Sequence, residues 1–423
     1  MIQAIPRASA QEAPAGAAQP RRPGPDRALA AAATVLVLIG LVAIYTASPS
    51  TTMRPMPFAD DPSTTLSTTH FLERHVVWLV IGILGGSILF GLPARVLQRF
   101  SVLGFMGTLA LLAAVALLGA QINGSARWAL ASGSVQPSEL AKLATVIYLA
   151  DWLAGRGTEI RQWSRGLLPY SMLIGTVCGL IIVQGHFSTS LLILAVAAAM
   201  LYVADADVWQ MARAGLIAGL VLVVFVATAR YRVERIQSFL DPTADPLGAG
   251  YQMLYVGQAM TGTGWFGTGL AQGHVKYAFP YGTAHTDTVF AVIAEETGVA
   301  GALLVIALFG LLGWRGYRAA AGAVDRFDRL VAVGLTTWLI AQATIHIGVS
   351  TAVVPPTGVT LPFISYGGSS LVTCLWAMGL LLGIARRADP VRAVAYGTLD
   401  LRWRNGRARL SRAHRARRAG RAG

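Results

Sequence analysis

Long apolar runs, which recur along most of the chain, constrain this sequence more than any other feature. A helix needs about 20 consecutive apolar residues to cross the hydrocarbon layer of a bilayer, and several runs approach that length. Of the 423 residues, 54% are hydrophobic and only 13% are charged, a balance that suits membrane-crossing helices better than soluble domains. The sequence therefore predicts an all-α integral membrane protein.

Ten apolar segments are predicted to be transmembrane helices. The segment near 138–154 carries three charged side chains, and the one near 188–203 is short. The first run is longer than the apolar part of a typical signal peptide, so we expect it to remain in the protein. The ten predicted spans lie near residues 28–47, 75–92, 101–119, 138–154, 167–184, 188–203, 211–229, 288–313, 329–353 and 366–385.

Three regions follow from this assignment. A ten-helix membrane domain covers residues 28–385, with a large outer loop at 230–287 between helices 7 and 8. A tail at 1–27 is rich in Ala, Pro, Gly and Arg without apolar periodicity, and is predicted to be disordered. An Arg-rich tail covers 386–423. Cys178 and Cys374 both fall in apolar runs, which indicates neither a disulfide framework nor a zinc site.

The positive charge predicts orientation rather than a nucleic-acid partner. The formal net charge is +14, and its arginines cluster in both tails and in alternate loops. By the positive-inside rule these regions are cytoplasmic, so both termini of a multi-pass protein lie in the cytoplasm. We read the C-terminal arginines as an anchor on anionic lipid. The outer loops then contain few basic residues, and the positive-inside rule does not explain those that are present. They are Arg127, Arg230, Arg232, Arg235 and Lys276.

One ionisable pair enters the membrane at the segment VQPSELAK, residues 135–142. Pro137 suits the first turn of a helix, and Glu139 and Lys142 share a face because they are three residues apart. Such a pair is costly inside a membrane unless it faces a polar cavity or is satisfied by itself. Arg127 nearby adds a second cation, which favours an anionic ligand, and a self-contained salt bridge is the alternative.

The outer interval 230–287 is too long for a passive connection, since loops of this length are commonly functional. It contains a formal GxGxxG at Gly262, Gly264 and Gly267, but no strand precedes it, so tight turns near the bilayer surface are predicted instead of a dinucleotide site. The interval ends at Asp287, at the mouth of the next helix. An acid–base role is one interpretation of Asp287, and a helix N-cap is the other.

The last signature is PPTGVTLPFISYGGSS, residues 355–370, which enters the final span from outside. The backbone can approach a ligand closely at Gly367 and Gly368, although glycine there also permits close helix packing. The signatures thus gather at outer helix ends, where no ATP or nucleotide sugar is available. A transfer reaction there must carry its energy in the substrate, as a lipid pyrophosphate does.

These motifs resemble the shape, elongation, division and sporulation (SEDS) family of FtsW and RodA. The matching segments are QPSELAK, DPxxDPLGAGYQ, HTD followed by FAVIAEETG, and PPTGxxLPFISYGGSS, which together cover about 120–385. The resemblance implies a ten-helix glycosyltransferase that joins lipid II units. Its implied partners are a class B penicillin-binding transpeptidase and other divisome or elongasome membrane proteins, in the bacterial cytoplasmic membrane.

The resemblance also implies roles for individual residues. Asp287 matches the acidic residue proposed as the base that deprotonates the acceptor hydroxyl. No cofactor is certain, and a divalent cation, Mg²⁺ or Mn²⁺, stays open without assigned ligands. The substrate-binding candidates are Arg127, Glu139, Lys142, Arg235, Gln252, Lys276, Glu296, Ser365, Gly367 and Gly368.

Two departures from the family pattern keep alternatives open. His186 stands where the family usually has the Asp of QPD, and His346 stands where it usually has Asn ahead of PPTG. The alternatives to an enzyme are a transporter that flips lipid II and an inactive scaffold for a penicillin-binding protein. FLERHVVW and the long basic tails slightly favour a division role, while VIAEETG is closer to the form typical of elongation.

Overall fold

A computed structural model describes residues 26–52, 67–118, 120–122, 125–128, 136–228, 230–246, 250–261, 264–279 and 283–388. The predicted tails fall almost wholly outside these ranges. A short antiparallel hairpin pairs β1 (Ala120–Ile122) with β2 (Ser125–Trp128). A 3₁₀ turn (Gly157–Arg161) and a π-helical turn (Trp163–Leu167) follow the fifth helix. The helices are α1 (Arg27–Ala47), α2 (Pro49–Thr52), α3 (His70–Gly91), α4 (Ala94–Leu118), α5 (Pro137–Arg156), α6 (Leu168–Val183), α7 (Phe187–Val203), α8 (Val208–Ala227), α9 (Arg230–Leu240), α10 (Tyr251–Thr261), α11 (Val275–Ala278), α12 (Val289–Gly322), α13 (Arg326–Ser350) and α14 (Gly368–Arg387).

A helix occupies each of the ten apolar segments, and the fold is that of a multi-span helical membrane protein. Eight helices in the described ranges are long and apolar enough to cross a membrane. The other two, α5 and α7, are the segments that the sequence already marked as unusual: α5 carries charged residues, and α7 has 17 residues. The first helix begins where Asp26 caps it, its Oδ1 accepting from the backbone N–H groups of Ala28 and Leu29 at 3.1 Å.

The interval 230–287 is more regular than the sequence indicated. Three helices, α9, α10 and α11, lie within it and account for most of its described residues. Their lengths of 11, 11 and 4 residues are too short to span a bilayer. This segment therefore folds as a structured cap on the helix bundle.

Close approach of small residues holds α3 against α14. A side chain on Gly86 would place its Cβ 2.7 Å from the Leu375 carbonyl oxygen, and one on Gly383 would place it 2.7 Å from the Phe90 carbonyl oxygen. Such contacts allow the two backbones to pack directly, which is the usual source of helix association in membranes. Among the candidate spans that the structure describes, α13 and α14 are the most enclosed, and the buried residues of α13 include Trp338, Gln342 and His346.

The long helix α12 is broken in its first third. Gly298 has φ 72° and ψ −168°, a conformation essentially restricted to glycine. The break leaves carbonyls and N–H groups of α12 without their helical partners. The segment 264–279 supplies new ones: Thr268 and Gly269 donate to the Glu295 and Glu296 carbonyls at 2.9 and 3.0 Å, and Val299 donates to the Gly264 carbonyl at 3.1 Å.

Candidate active site

A cavity of about 370 Å³ lies where several parts of the chain meet at one end of the bundle. The start of α7, the short helices α9 and α10, the turn before α12 and the Pro-rich turn after α13 all contribute to it. Three of the predicted site residues line this cavity together, namely Arg235, Gln252 and Asp287. The other lining residues are Gly185, His186, Phe187, Ser188, Leu191, Ile236, Ile345, Val354, Pro355, Pro356, Thr357 and Gly358.

Asp287 is held by a tight turn of the backbone. The N–H groups of Thr286, Asp287 and Thr288 all donate to the Thr283 carbonyl at 3.1 to 3.2 Å. The N-cap position of α12 falls on Thr288, so Asp287 lies one residue before it, partly exposed in the cavity. Asp287 is therefore not the N-cap residue of α12.

The predicted residue Ser365 supports this turn from behind rather than lining the cavity. Its Oγ donates to the Thr286 carbonyl at 2.7 Å and accepts from the Leu361 N–H at 2.8 Å. Tyr366 N–H donates to the His285 carbonyl at 2.8 Å. The two residues before Asp287 are thus tied to the last loop, so that the loop fixes where the carboxylate lies.

His285, behind Asp287, is enclosed by aromatic rings. Its ring centroid is 4.3 Å from that of Phe71 and 5.3 Å from that of Tyr366, and only 2% of the residue is exposed. Burial lowers the pKa of His285 to about 4, with a smaller contribution from His75. The imidazole is therefore neutral at physiological pH.

Another part of the cavity wall combines a cation with the Pro-rich turn. The Arg235 guanidinium donates to the Pro356 carbonyl at 3.4 Å. A Cβ on Gly358 would lie 4.0 Å from Asp287 Oδ2, so the absence of a side chain there keeps the space in front of the carboxylate open. Thr357 Oγ1 is buried and has no hydrogen-bond partner among the described residues, which is uncommon for a buried hydroxyl.

His186 also lines this cavity, at the start of α7. Its Nε2 lies 2.6 Å from Gln136 Nε2, which joins the starts of α5 and α7. Sequence reasoning marked His186 only as a departure from a pattern and did not include Thr357 among the candidates. The signal for Thr357 was present, because it belongs to the Pro-rich signature.

Glu139 and Lys142 lie away from this cavity. The Lys142 ammonium is 2.8 Å from Glu139 Oε2, donates to Gln342 Oε1 at 2.7 Å, and lies 5.0 Å from the Trp338 ring centroid. Lys142 is 3% exposed. The geometry is that of the self-contained salt bridge, the alternative interpretation from the sequence.

Lys276 and Glu296 form a second closed pair. The Lys276 ammonium contacts Glu296 Oε1 at 2.7 Å and donates to the Ala271 carbonyl at 2.9 Å. Glu295 beside it accepts from the backbone N–H groups of His274 and Val275 at 2.7 and 3.1 Å. These groups fasten the segment 264–279 to the break in α12, outside the Asp287 cavity.

Three candidates remain. Gly367 and Gly368 lie at the start of α14, and the side chain of Arg127 lies outside the described residues. Gly368 packs against the Trp78 ring, where any side chain would collide. Gly367 precedes α14 in an extended conformation, with φ 172°. Arg127 lies on β2, and its side chain falls outside the described residues.

The fold and the cavity define a multi-pass helical membrane protein with a carboxylate-bearing site at one end of its bundle. Comparison of sequences then gives the family. The model for FtsW, RodA and SpoVE, described as "Cell cycle protein", matches residues 26–389. This chain belongs to that family, the SEDS family.

Individual relatives agree over most of the chain. A probable peptidoglycan glycosyltransferase FtsW of Geobacter sp. (strain M18) is 35% identical over 367 residues, 86% of this chain and 97% of that protein. Stage V sporulation protein E of Bacillus subtilis (strain 168) is 34% identical over 369 residues, 86% of this chain and 98% of that protein.

Solved structures share the fold. A chain from "Structural coordination of polymerization and crosslinking by a peptidoglycan synthase complex" has a TM-score of 0.69 and 31% identity, covering 86% of this chain and 98% of that one. The rod shape determining protein RodA of Thermus thermophilus has a TM-score of 0.62 and 28% identity, covering 86% of this chain and 97% of that one.

Proposed function

We propose that this chain is a peptidoglycan glycosyltransferase that polymerises lipid II into glycan strands at the outer face of the bacterial cytoplasmic membrane. Family membership supports the reaction class, since its relatives include probable peptidoglycan glycosyltransferases. The observation that carries the proposal for this chain is one cavity that joins the Asp287 carboxylate, the Arg235 guanidinium and the Pro-rich turn.

In the proposed reaction Asp287 acts as the general base. The acceptor sugar hydroxyl loses its proton to the carboxylate as its oxygen attacks the anomeric carbon of the donor. The bond from that carbon to the pyrophosphate oxygen breaks, and the electron pair leaves with the lipid pyrophosphate. General base catalysis of this kind contributes about 10²–10⁴-fold to rate.

Arg235 is the cation proposed to bind the departing pyrophosphate. It lines the same cavity as Asp287, whereas Lys142 and Lys276 are each paired with a buried carboxylate elsewhere. A guanidinium forms charge-assisted hydrogen bonds to phosphate oxygens and stabilises the charge that develops on them. The buried Thr357 hydroxyl supplies a further group that can bond to the substrate.

The residues of this cavity do not fit a metal held by the protein alone. The described residues include no group of three or more His, Cys, Asp or Glu side chains that could hold an ion. Mg²⁺ commonly takes one or two carboxylates together with substrate phosphates. We therefore propose that any Mg²⁺ or Mn²⁺ enters with the pyrophosphate of the substrate.

The proposed topology has ten spans with both termini in the cytoplasm. Eight helices meet the criteria of length and apolar composition, and α5 and α7 complete the set if they cross within the bundle. Arginines at both ends of the turn between α12 and α13 support a cytoplasmic position for that turn. The Asp287 end of α12 is then the outer end.

A transpeptidase is the proposed partner. The fold is similar to a chain from a peptidoglycan synthase complex described for polymerisation and crosslinking, which supports a class B penicillin-binding protein as the neighbour in the membrane. Relatives named FtsW support a division role for this chain, and the similarity to a sporulation protein leaves its process unassigned.

The test is polymerisation of purified lipid II by the detergent-purified protein with its transpeptidase partner. The Asp287→Asn variant should bind lipid II and form glycan about 10²–10⁴-fold more slowly, because the amide keeps the shape but accepts no proton. Asp241→Asn is the matched control, since that carboxylate is exposed and hydrogen-bonded to its neighbour Thr243.

Each alternative function has its own outcome in this experiment. Glycan made by Asp287→Asn at the wild-type rate would remove Asp287 from the role of base. Wild-type protein that makes no glycan but moves labelled lipid II across vesicles would be a transporter. Wild-type protein that does neither, and only stimulates its partner, would be a scaffold.

A further inference from the structure

The segment 264–279 is bound to the break in α12 as an added backbone layer. Thr268 and Gly269 donate to carbonyls that the break releases, and the Gly264 and Trp265 carbonyls accept from Val299 and Ala300 at 3.1 Å. Gly267 has φ 71°, and a side chain there would place its Cβ 2.5 Å from the Glu296 backbone. The contact is therefore direct and depends on glycine.

This pairing allows the segment to lie at membrane depth. Non-helical backbone is tolerated in the hydrocarbon region only where its polar groups are satisfied by protein. Here four backbone groups of the segment pair with those of α12, namely the Gly264 and Trp265 carbonyls and the Thr268 and Gly269 N–H groups. Lys276 neutralises Glu296, and the Glu295 carboxylate accepts from two backbone N–H groups of the segment.

Two large apolar side chains project from the tip of this segment. Trp265 is 68% exposed and Phe266 is 85% exposed. Neither lines the Asp287 cavity. They lie beside Val299, which continues into the exposed face of α12 at Leu303, Leu304 and Ile306. Because α12 is a candidate membrane span, this face is continuous with a lipid-facing surface.

The length of α12 gives the depth of the tip. Trp314, Arg315 and Tyr317 occur near the other end of α12, where aromatic and basic residues mark a membrane boundary. Val299 lies 15 residues before Trp314, which is about 22 Å along a helix at about 1.5 Å per residue. The hydrocarbon layer is about 30 Å thick, so Val299 and Ala300, with their partners Gly264 and Trp265, fall several ångströms inside its far boundary.

We propose that Trp265 and Phe266 insert among the lipids of the leaflet opposite the Arg315 end of α12 and anchor the segment 264–279 there. Tryptophan favours this boundary region because its ring is apolar and its N–H is polar. The chain runs from this anchor to the Asp287 turn. The anchor thereby fixes the height of the cavity relative to the lipid headgroups.

The experiment measures depth with spin labels on single introduced cysteines in protein reconstituted into phosphatidylethanolamine and phosphatidylglycerol vesicles. The variants are Phe266→Cys, Leu303→Cys as a lipid-facing control and Ala244→Cys as an exposed control in the segment before α10. Cys178 and Cys374 are both buried, so the spin label reacts with the introduced cysteine rather than with these two. Collisions with oxygen report lipid, and collisions with a water-soluble nickel chelate report water.

The labels at 266 and 303 should both collide often with oxygen and rarely with the nickel chelate. The label at 244 should collide often with the nickel chelate. Nickel collisions at 266 equal to those at 244 would overturn the proposal. Protection from both reagents in the purified protein would also overturn it, because protein rather than lipid would then cover the tip.

A second measurement avoids the introduced cysteine. Lipids brominated near the carbonyl end of their acyl chains quench tryptophan fluorescence on contact. Wild-type protein should lose more fluorescence in these vesicles than Trp265→Phe does, and Trp209→Phe is the comparison variant at an exposed tryptophan in the first turn of α8. Equal quenching of wild type and Trp265→Phe would contradict insertion of Trp265.

Discussion

Lys142 illustrates how a single ionisable residue changes its interpretation once its neighbours are known. In the sequence, Glu139 and Lys142 with Arg127 indicated a cavity for an anion. In the fold, the Lys142 ammonium is surrounded by the Glu139 carboxylate, the Gln342 amide oxygen and the Trp338 ring. Lys142 is only 3% exposed. The Gln342 amide and the Trp338 ring come from α13, about 200 positions away, and no local pattern indicates them.

Replacement of Lys142 by Met should therefore destabilise the protein. The Glu139 carboxylate would stay buried without its cation, and breaking such a pair costs about 3–5 kcal/mol. The thermal unfolding midpoint in detergent should fall, and the double variant Glu139→Gln with Lys142→Met should recover most of it. A Lys142→Met protein that unfolds at the wild-type temperature but no longer binds lipid II would instead assign Lys142 to the substrate.

The burial of His285 makes the stability of the folded protein depend on pH. Its folded-state pKa is lowered to about 4 from an ordinary value of 6.5, because the ring is buried. Between these values the unfolded chain binds a proton that the folded protein does not, so stability is full above about pH 6.5 and declines until about pH 4. The total loss from this group is on the order of 3 kcal/mol.

The unfolding midpoint of the wild-type protein should consequently fall between pH 6.5 and pH 4. The His285→Asn variant should have a smaller decline over the same range, whatever its stability at neutral pH. His274→Asn is the control, because that side chain is exposed in the segment 264–279. An unchanged decline in His285→Asn would refute the assignment to His285.

At the scale of elements, the apolar runs predicted where helices form but not where one breaks. The run at 288–313 predicted an ordinary helix, whereas α12 extends to Gly322 and contains the break at Gly298. A glycine inside a helical pattern is compatible with an unbroken helix, so the sequence pattern alone could not indicate the break. The break exists because the segment 264–279 supplies the lost hydrogen bonds, and this pairing depends on tertiary structure.

Gly298→Ala should be strongly destabilising. A Cβ at position 298 would collide with the backbone of Gly267 and Phe266, and φ 72° is unfavourable for any residue with a side chain. We expect a lower unfolding midpoint and faster proteolysis of the segment 264–279. Gly310→Ala is the matched control in the same helix, because a Cβ there meets no atom within 4 Å. Gly310→Ala should be neutral or slightly stabilising, since Ala favours a helix over Gly by about 1 kcal/mol.

At the scale of the whole molecule, the sequence predicted the helix order better than the composition of the cavity. Each of the ten apolar runs contains a helix, and eight of these helices are long and apolar enough to cross a membrane, because burial in lipid requires long apolar segments and leaves little choice of structure. The cavity depends on contacts between α7, α9, α10 and two turns that are far apart in the sequence. Asp287, Arg235 and Gln252 were predicted together because their motifs resemble one family, whereas the separate pairing of Lys142 and Lys276 depends on the tertiary fold.

The proposed orientation can be tested across α12 alone. Ala244 precedes α12 on the same side as the Asp287 cavity, and Val324 lies in the turn after it; both are exposed. If α12 crosses the membrane once, with no other span between these positions, cysteines at 244 and 324 must face opposite compartments. The arginines near 324 predict that it is cytoplasmic. A membrane-impermeant maleimide should thus label Ala244→Cys in intact cells and Val324→Cys only after permeabilisation. The reverse pattern would place the cavity in the cytoplasm, where the proposed polymerisation of outward-facing lipid II could not occur, and labelling of both in intact cells would mean that α12 does not cross.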